Sequence, residues 1–274
     1  MSGTLYIIGT PIGNMEDITL RQMRLLEEVD FICAEDTRVT LKLLNRCEIK
    51  NELVSFHEHS SRNDAQRIID RLLSGQNCGI VTDAGMPCIS DPGEVLVALC
   101  YENGIDVKVV PGPTAAASAA ALSGMNISRF TFEGFLPVPK KERSERFELL
   151  RNETAVMIFY EAPHKLKNTI KDMAEFFGRE RRIALCRELT KIHEEVLRMS
   201  LGEAEEYYSV NEPRGEYVLV LEGKADTGSE KITIEEAMEQ VKRLIEKGEK
   251  PTEACKAVAK ETGFKKSELY SALQ

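Results

Sequence analysis

Val81-Thr-Asp-Ala-Gly-Met-Pro-Cys-Ile-Ser-Asp-Pro-Gly93 begins at the end of the apolar run Gly79-Ile80-Val81 and precedes a helical pattern that opens at Glu94. Two glycines, two prolines and two aspartates in one connection describe a strand that feeds a long, rigid, polar turn. Most strand-to-helix connections are short and need one or two such residues. A constrained turn at the carboxyl end of a buried strand is where an open α/β sheet binds its ligand.

Outward from this turn the chain alternates strand and helix patterns. Leu5–Ile8, Val29–Ala34, Leu53–Phe56 and Val107–Val110 read as strands. Thr19–Glu28, Asp36–Asn45, Asn63–Leu73, Glu94–Glu102 and Thr114–Ser123 have helical spacing. Repeated β-then-α order predicts a parallel, doubly wound sheet. The rhythm changes after Phe130, where strands at Phe130–Phe135, Ala155–Tyr160, Arg182–Arg187, His193–Met199 and Tyr217–Glu222 predict a mixed second sheet. Gly223–Glu230 is a polar linker, and Ile234–Lys247, Thr252–Thr262 and Lys266–Leu273 form a small helix-turn-helix-like unit with balanced charge. The reading is thus a two-lobed α/β chain: residues 1–125, then 126–223, then a C-terminal helical unit at 232–274.

Composition narrows the function. The net charge of −9 argues against a uniformly basic nucleic-acid surface and leaves local patches. Lys140, Lys141, Arg143 and Arg146 form one such patch, and Arg179, Arg181 and Arg182 another; both also suit a solvated helix face or a charged turn. Seven scattered cysteines with no Cys-x-x-Cys pair predict reduced, buried thiols in a cytoplasmic protein. Neither a signal peptide nor a bilayer-length apolar run is expected.

Three strand-end turns carry the candidate chemistry. Gly9-Thr10-Pro11-Ile12-Gly13-Asn14 lets a ligand approach the backbone, yet it is neither Gly-x-Gly-x-x-Gly nor a P-loop. In the Val81–Gly93 turn, Ser90 and Asp91 read as helix caps, which leaves Asp83 as the carboxylate without a structural role. Pro111-Gly112-Pro113-Thr114 opens the alanine-rich segment from Ala115, suited to a flat ligand or to tight helix packing. Three such turns beneath a second lobe describe a roofed cleft.

With these turns go Ala34-Glu35-Asp36-Thr37-Arg38, Phe56-His57-Glu58-His59, Phe159-Tyr160-Glu161-Ala162-Pro163-His164, Arg187-Glu188-Leu189-Thr190-Lys191 and Pro213-Arg214-Gly215-Glu216-Tyr217. In this order the chain resembles the tetrapyrrole-methylase-like class of S-adenosylmethionine methyltransferases, and within it the branch acting on small-subunit ribosomal RNA. The resemblance covers residues 4–223 and reaches into the helical tail. It implies 2′-O-methylation of a cytidine ribose in the decoding region of 16S rRNA, by a homodimer. Fold relatives that methylate tetrapyrroles or a modified protein histidine, and a non-catalytic ribosome-assembly factor, are the competing readings.

The same resemblance implies that Pro11, Asp83, Gly85, Met86, Ile89, Ser90, Thr114, Ala115, Phe135, Leu189 and Gly215 hold S-adenosylmethionine. A ribose hydroxyl is a poor nucleophile, so a general base is expected. Asp36, His57, Glu58, Asp83, Glu161 and Glu188 are candidates, with Glu161 first because it ends a second-lobe strand facing the cleft. Arg38 and Lys191 are placed to grip a phosphate or lower the hydroxyl's pKa. Asp36 also suits a helix cap paired with Arg38. His57 and His59 share a strand face, but no third ligand is evident and no metal is expected. Arg38, Lys140, Lys141, Arg143 and Arg146 are expected to line the RNA approach.

Overall fold

The computed structural model describes residues 2–225 and 234–273; the rest of the expected linker, and the expected start of the helical unit at 232, lie outside the described residues. Met1–Gly223 forms one compact unit that holds both sheets.

The first sheet contains β1 (Thr4–Ile8), β2 (Phe31–Ala34), β3 (Leu53–Ser55), β4 (Cys78–Val81) and β5 (Asp106–Val110) in the order β3-β2-β4-β1-β5. All four of its pairings are parallel. Strands covered on both faces read as unbroken apolar runs, as Phe31-Ile32-Cys33-Ala34 does. One face packs on α3 (Arg62–Leu73) and α4 (Glu94–Glu102) through Ile68, Ile69, Leu72, Leu96 and Leu99. The other packs on α1 (Leu20–Glu28) and α2 (Thr37–Arg46) through Leu25, Leu26 and Leu44. Thr19 caps α1 in a reciprocal capping box with Gln22.

The second sheet runs β6-β7-β10-β8-β9, from β6 (Phe130–Phe135), β7 (Val156–Glu161), β8 (Arg182–Arg187), β9 (Glu195–Ser200) and β10 (Tyr217–Leu221). Only β6 and β7 pair in parallel, so the sheet is mixed as expected. α6 (Lys140–Leu150), α7 (Pro163–Phe177) and α8 (Leu201–Val210) cover one face. The alanine-rich α5 (Ala115–Leu122) lies on the other. Ala116, Ala119 and Ala120 pack on Ile158, Ala184, Cys186 and Val220, so close packing accounts for the small residues.

The helical unit comprises α9 (Ile234–Glu246), α10 (Pro251–Thr262) and α11 (Lys266–Ser271) around Ala237, Val241, Ala254, Cys255, Val258 and Leu269. Pro251 opens α10, and Gly263 ends it in the left-handed conformation at φ +76°. All seven cysteines are free thiols, five of them buried. No described helix is long and apolar enough to cross a membrane.

Candidate active site

The carboxyl ends of the parallel strands converge as the strand order requires. β1 lies between β4 and β5, so the turns that follow the three strands meet. Thr10 and Gly85 exchange backbone hydrogen bonds of 2.8 and 3.2 Å. The Gly112 amide donates to Met86 Sδ at 3.2 Å, and buried Gln22 donates through Nε2 to the Gly9 carbonyl at 2.7 Å. Gly9 and Gly112 touch backbone to backbone: a Cβ on Gly9 would stand 2.7 Å from Gly112 Cα and 2.8 Å from its nitrogen.

Above these turns lies a cavity of about 530 Å³, within the range of small-molecule sites. Of the expected cofactor residues, Asp83, Gly85, Met86, Ile89, Ser90, Thr114, Ala115, Phe135 and Leu189 line it. Pro11 and Gly215 do not; their neighbours Ile12 and Glu216 do. Gly215 instead leaves room for a side chain, since a Cβ there would stand 2.6 Å from Glu188 at a φ of +79°. Glu35, Asp91, Tyr160 and Glu216 are lining residues that sequence reasoning had not placed there.

The lining carries five carboxylates (Glu35, Asp83, Asp91, Glu161 and Glu216) and, among the described residues, no lysine, arginine or histidine. Phe135 and Tyr160 also line the cavity, edge to face at 5.5 Å. Phe135 is 57% exposed, so its ring is free to cover a ligand. Such a cavity suits a ligand with a cationic centre and a flat apolar part.

Two lining loops are strained. Cys88 and Ser90 on one side, and Glu188 and Thr190 on the other, hold positive φ angles of 51–68° without being glycine. Such strain clusters at ligand sites. The Glu188 loop is fastened to the turn before β10: Glu188 Oε1 accepts from the Glu216 amide at 2.9 Å and from Lys191 Nζ at 3.0 Å. Lys191 also pairs with Glu216 at 2.6 Å, so it staples the loop and lies outside the cavity lining.

Asp36 and Arg38 also lie outside that lining. Asp36 caps α2 through the Arg38 amide, and the Arg38 guanidinium grips its carboxylate at 2.6 Å. Arg38's hydrogen bonds draw the Asp36 carboxyl down to about 2, which suits an ion pair and not a proton acceptor. The strand-end acids are zipped together, since Asp83 Oδ1 accepts from the Asp36 amide at 3.2 Å and Glu35 Oε2 from the Asp83 amide at 3.4 Å. Burial, then the charge of neighbouring carboxylates, raises the pKa of Glu35; burial also raises that of Asp83.

Glu161 lines the cavity and is 5% exposed. Its oxygens are already engaged, by the Ala162 amide at 2.8 Å and by the Thr169 hydroxyl at 2.6 Å. Glu161 thereby ties the end of β7 to the first turns of α7.

Three expectations are corrected. Neither Ser90 nor Asp91 caps α4: the cap position belongs to Gly93 at φ +138°, with no side-chain hydrogen bond. His57 and His59 lie beyond the end of β3 in a turn, not on a strand face, and no metal-binding cluster occurs among the described residues. In the basic patch, Arg143 is bound to Asp172 and Arg146 to Glu133, each at 2.5 Å, so the arginines hold α6 in place and only Lys140 and Lys141 stay fully on the surface.

Residues 4–205 match the family of tetrapyrrole (corrin/porphyrin) methylases. The chain is 44% identical to the ribosomal RNA small subunit methyltransferase I of Halalkalibacterium halodurans over 98% of its own length and 94% of that protein's. It is 47% identical to the protein of the same name from Thermotoga maritima, over 81% of this chain and 99% of that one. Among solved structures it resembles uroporphyrin-III C-methyltransferase from Thermus thermophilus complexed with S-adenosyl homocysteine, with a TM-score of 0.57, 18% identity and coverage of 80% and 97%. The chain therefore belongs to the tetrapyrrole methylase family, in the branch whose curated relatives are ribosomal RNA small subunit methyltransferases I.

Proposed function

We propose that this protein transfers a methyl group from S-adenosylmethionine to the 2′ oxygen of a cytidine ribose in the decoding region of 16S rRNA. The observation that carries the reading is the strand-end cavity, lined by five carboxylates and by the Phe135–Tyr160 aromatic pair. The bound sulfonium supplies an electrophilic methyl group set for in-line displacement, so positioning provides much of the rate. This chain's part is to bind, orient and exclude water. Phe135, Tyr160, Leu189 and Met86 form the apolar walls for the adenine. The carboxylates of Asp83 and Glu35 favour the cationic centre. Glu161 holds β7 and α7 in register around the pocket, and Asp36 with Arg38 fixes the edge of the opening. RNA phosphates are met by Lys140, Lys141 and Arg38, whose side chain is 85% exposed.

The named relatives support rRNA as the substrate over a tetrapyrrole. The test is a map of ribose methylation on 16S rRNA from a strain lacking the gene. One 2′-O-methylcytidine in the decoding region is expected to vanish and to return with the intact gene. An unchanged map would overturn the reading, while cofactor binding without any rRNA change would move the substrate elsewhere.

A further inference from the structure

A second cavity, of about 720 Å³, adjoins the first. It lies between the turn after β3 and helices α3 and α4, and its lining includes Phe56, His57, Glu58, Arg62, Ala98 and Glu102. Only Glu35, Ser90 and Asp91 line both cavities. Any group passed from one chamber to the other crosses this wall. Resting on the function proposed above, we infer that the second cavity receives the target nucleoside and that Asp91 takes the proton of the hydroxyl being methylated.

Three observations select Asp91. First, it is the carboxylate in the shared wall without another duty: Glu35 accepts from the Asp83 amide, and no hydrogen bond or ion pair to Asp91 occurs among the described residues. Ser90 brings a hydroxyl, which is no base near neutrality. Second, Asp91 is held in place by a loop that bends at strained Cys88 and Ser90, at φ +68° and +61°, and it does not cap the helix that follows. Third, burial, then the charges of Glu35 and Asp83, push its carboxyl up to about 7. A base works best with its pKa near the working pH.

The charges around Asp91 come from every side. Glu35 and Asp83 face it from the ends of β2 and β4, Cys88 shares its loop, and Tyr160 stands on β7. Across the second cavity are His57, Glu58, Arg62, Glu94 and Glu102. The N4 amine of a cytosine edge donates to carboxylates such as these, and Arg62 is the lining cation for the phosphate that adjoins the 2′ hydroxyl.

In the step, the 2′ oxygen forms the new bond to the methyl carbon and the methyl–sulfur bond breaks, its electron pair remaining on sulfur. The hydroxyl proton passes to an Asp91 oxygen. The sulfonium charge and the carboxylate charge are lost together, so no net charge builds up in the buried site.

The test uses the full-length protein with unmethylated small ribosomal subunits. Asp91→Asn is expected to lower the single-turnover rate by about 10²–10⁴-fold, the usual worth of a general base. Its Kd for S-adenosylhomocysteine, by calorimetry, should stay near wild type. The wild-type rate should rise with pH through about 7 and level off, because only the ionised carboxylate accepts a proton; the variant should lack that limb. A readout independent of turnover is the infrared carboxyl signal of the cofactor-free protein, which should titrate near pH 7 in the wild type and be missing in Asp91→Asn. Ala98→Trp, on the surface of α4 and lining only the second cavity, should block methylation and leave that Kd unchanged.

Wild-type protein that methylates no ribose on these subunits would overturn the function proposed above. Active wild type with an Asp91→Asn variant of equal rate would overturn the role of Asp91. Active wild type with an equally active Ala98→Trp variant would overturn the nucleoside chamber.

Discussion

Gly9→Ala is expected to cost at least about 100-fold in cofactor affinity, a loss in line with an ångström-scale displacement of a site. The added methyl group has nowhere to go. It would meet Gly112 Cα at 2.7 Å, the Gly112 nitrogen at 2.8 Å and Met86 Sδ at 2.7 Å. Two of these are backbone atoms of a neighbouring turn, and Met86 belongs to the third. Relief of the clash must part the turns after β1 and β5. That parting strains the Gln22–Gly9 hydrogen bond of 2.7 Å and the paired bonds between Thr10 and Gly85. The residues that line the cavity hang from these bonds. Overpacking of this kind usually costs about 1–3 kcal/mol in stability, so the variant should still fold and show a single, lowered thermal transition. Calorimetric titration of the folded variant with S-adenosylhomocysteine checks the loss. Wild-type affinity would mean that the three turns do not act as one cradle.

Much of this cradle was legible in the sequence, because the chemistry of turns is local. The strand-end turns marked the loops, the family resemblance named Asp83, Gly85, Met86, Ile89, Ser90, Thr114 and Ala115 within them, and all seven line the cavity. The misreadings arose where the fold supplied the deciding term. Ser-Asp-Pro-Gly before a helix resembles a capping sequence, yet an N-cap must directly precede the first helical residue. Gly93 takes that place before Glu94, and Asp91, two residues upstream, turns to the cavity wall. Asp36 was a candidate base that also suited a helix cap paired with Arg38, and the structure gives it that cap, while Glu35, which was not among the candidates, lines both cavities. Arg143 looked like part of a basic surface, but Arg143, Phe147 and Leu150 stand at i, i+4 and i+7. That is one helical stripe, and Phe147 and Leu150 are buried. The apolar neighbours on that stripe were the signal that placed Arg143 on the inner face of α6.

Arg143→Ala should therefore destabilise the protein more than it affects RNA contact. The guanidinium spans α6 and α7: Nε and Nη2 donate to Asp172 Oδ2 at 2.8 and 2.5 Å, and Nη1 donates to the carbonyls of Pro137 and Val138 at 3.1 and 2.8 Å. Arg143 and Asp172 side chains are only 14% and 16% exposed. Truncation leaves Asp172 with a largely buried, uncompensated charge and frees two carbonyls just beyond β6. Breaking such a pair costs about 3–5 kcal/mol, and the residual exposure argues for about 3. At roughly 2–4 °C per kcal/mol for a chain of this size, the melting temperature should fall by roughly 6–12 °C. The surface neighbours Lys140→Ala and Lys141→Ala should each change stability by less than about 0.5 kcal/mol. Arg143→Met combined with Asp172→Leu should recover most of the loss, because no orphan charge is left and apolar side chains of similar reach fill the gap. A helix surface that merely met RNA would behave the other way: Arg143→Ala would keep the wild-type melting temperature and weaken subunit binding steeply with salt. Thermal unfolding of the four variants separates these outcomes, since only a buried pair yields a single-site loss that its partner's removal repairs.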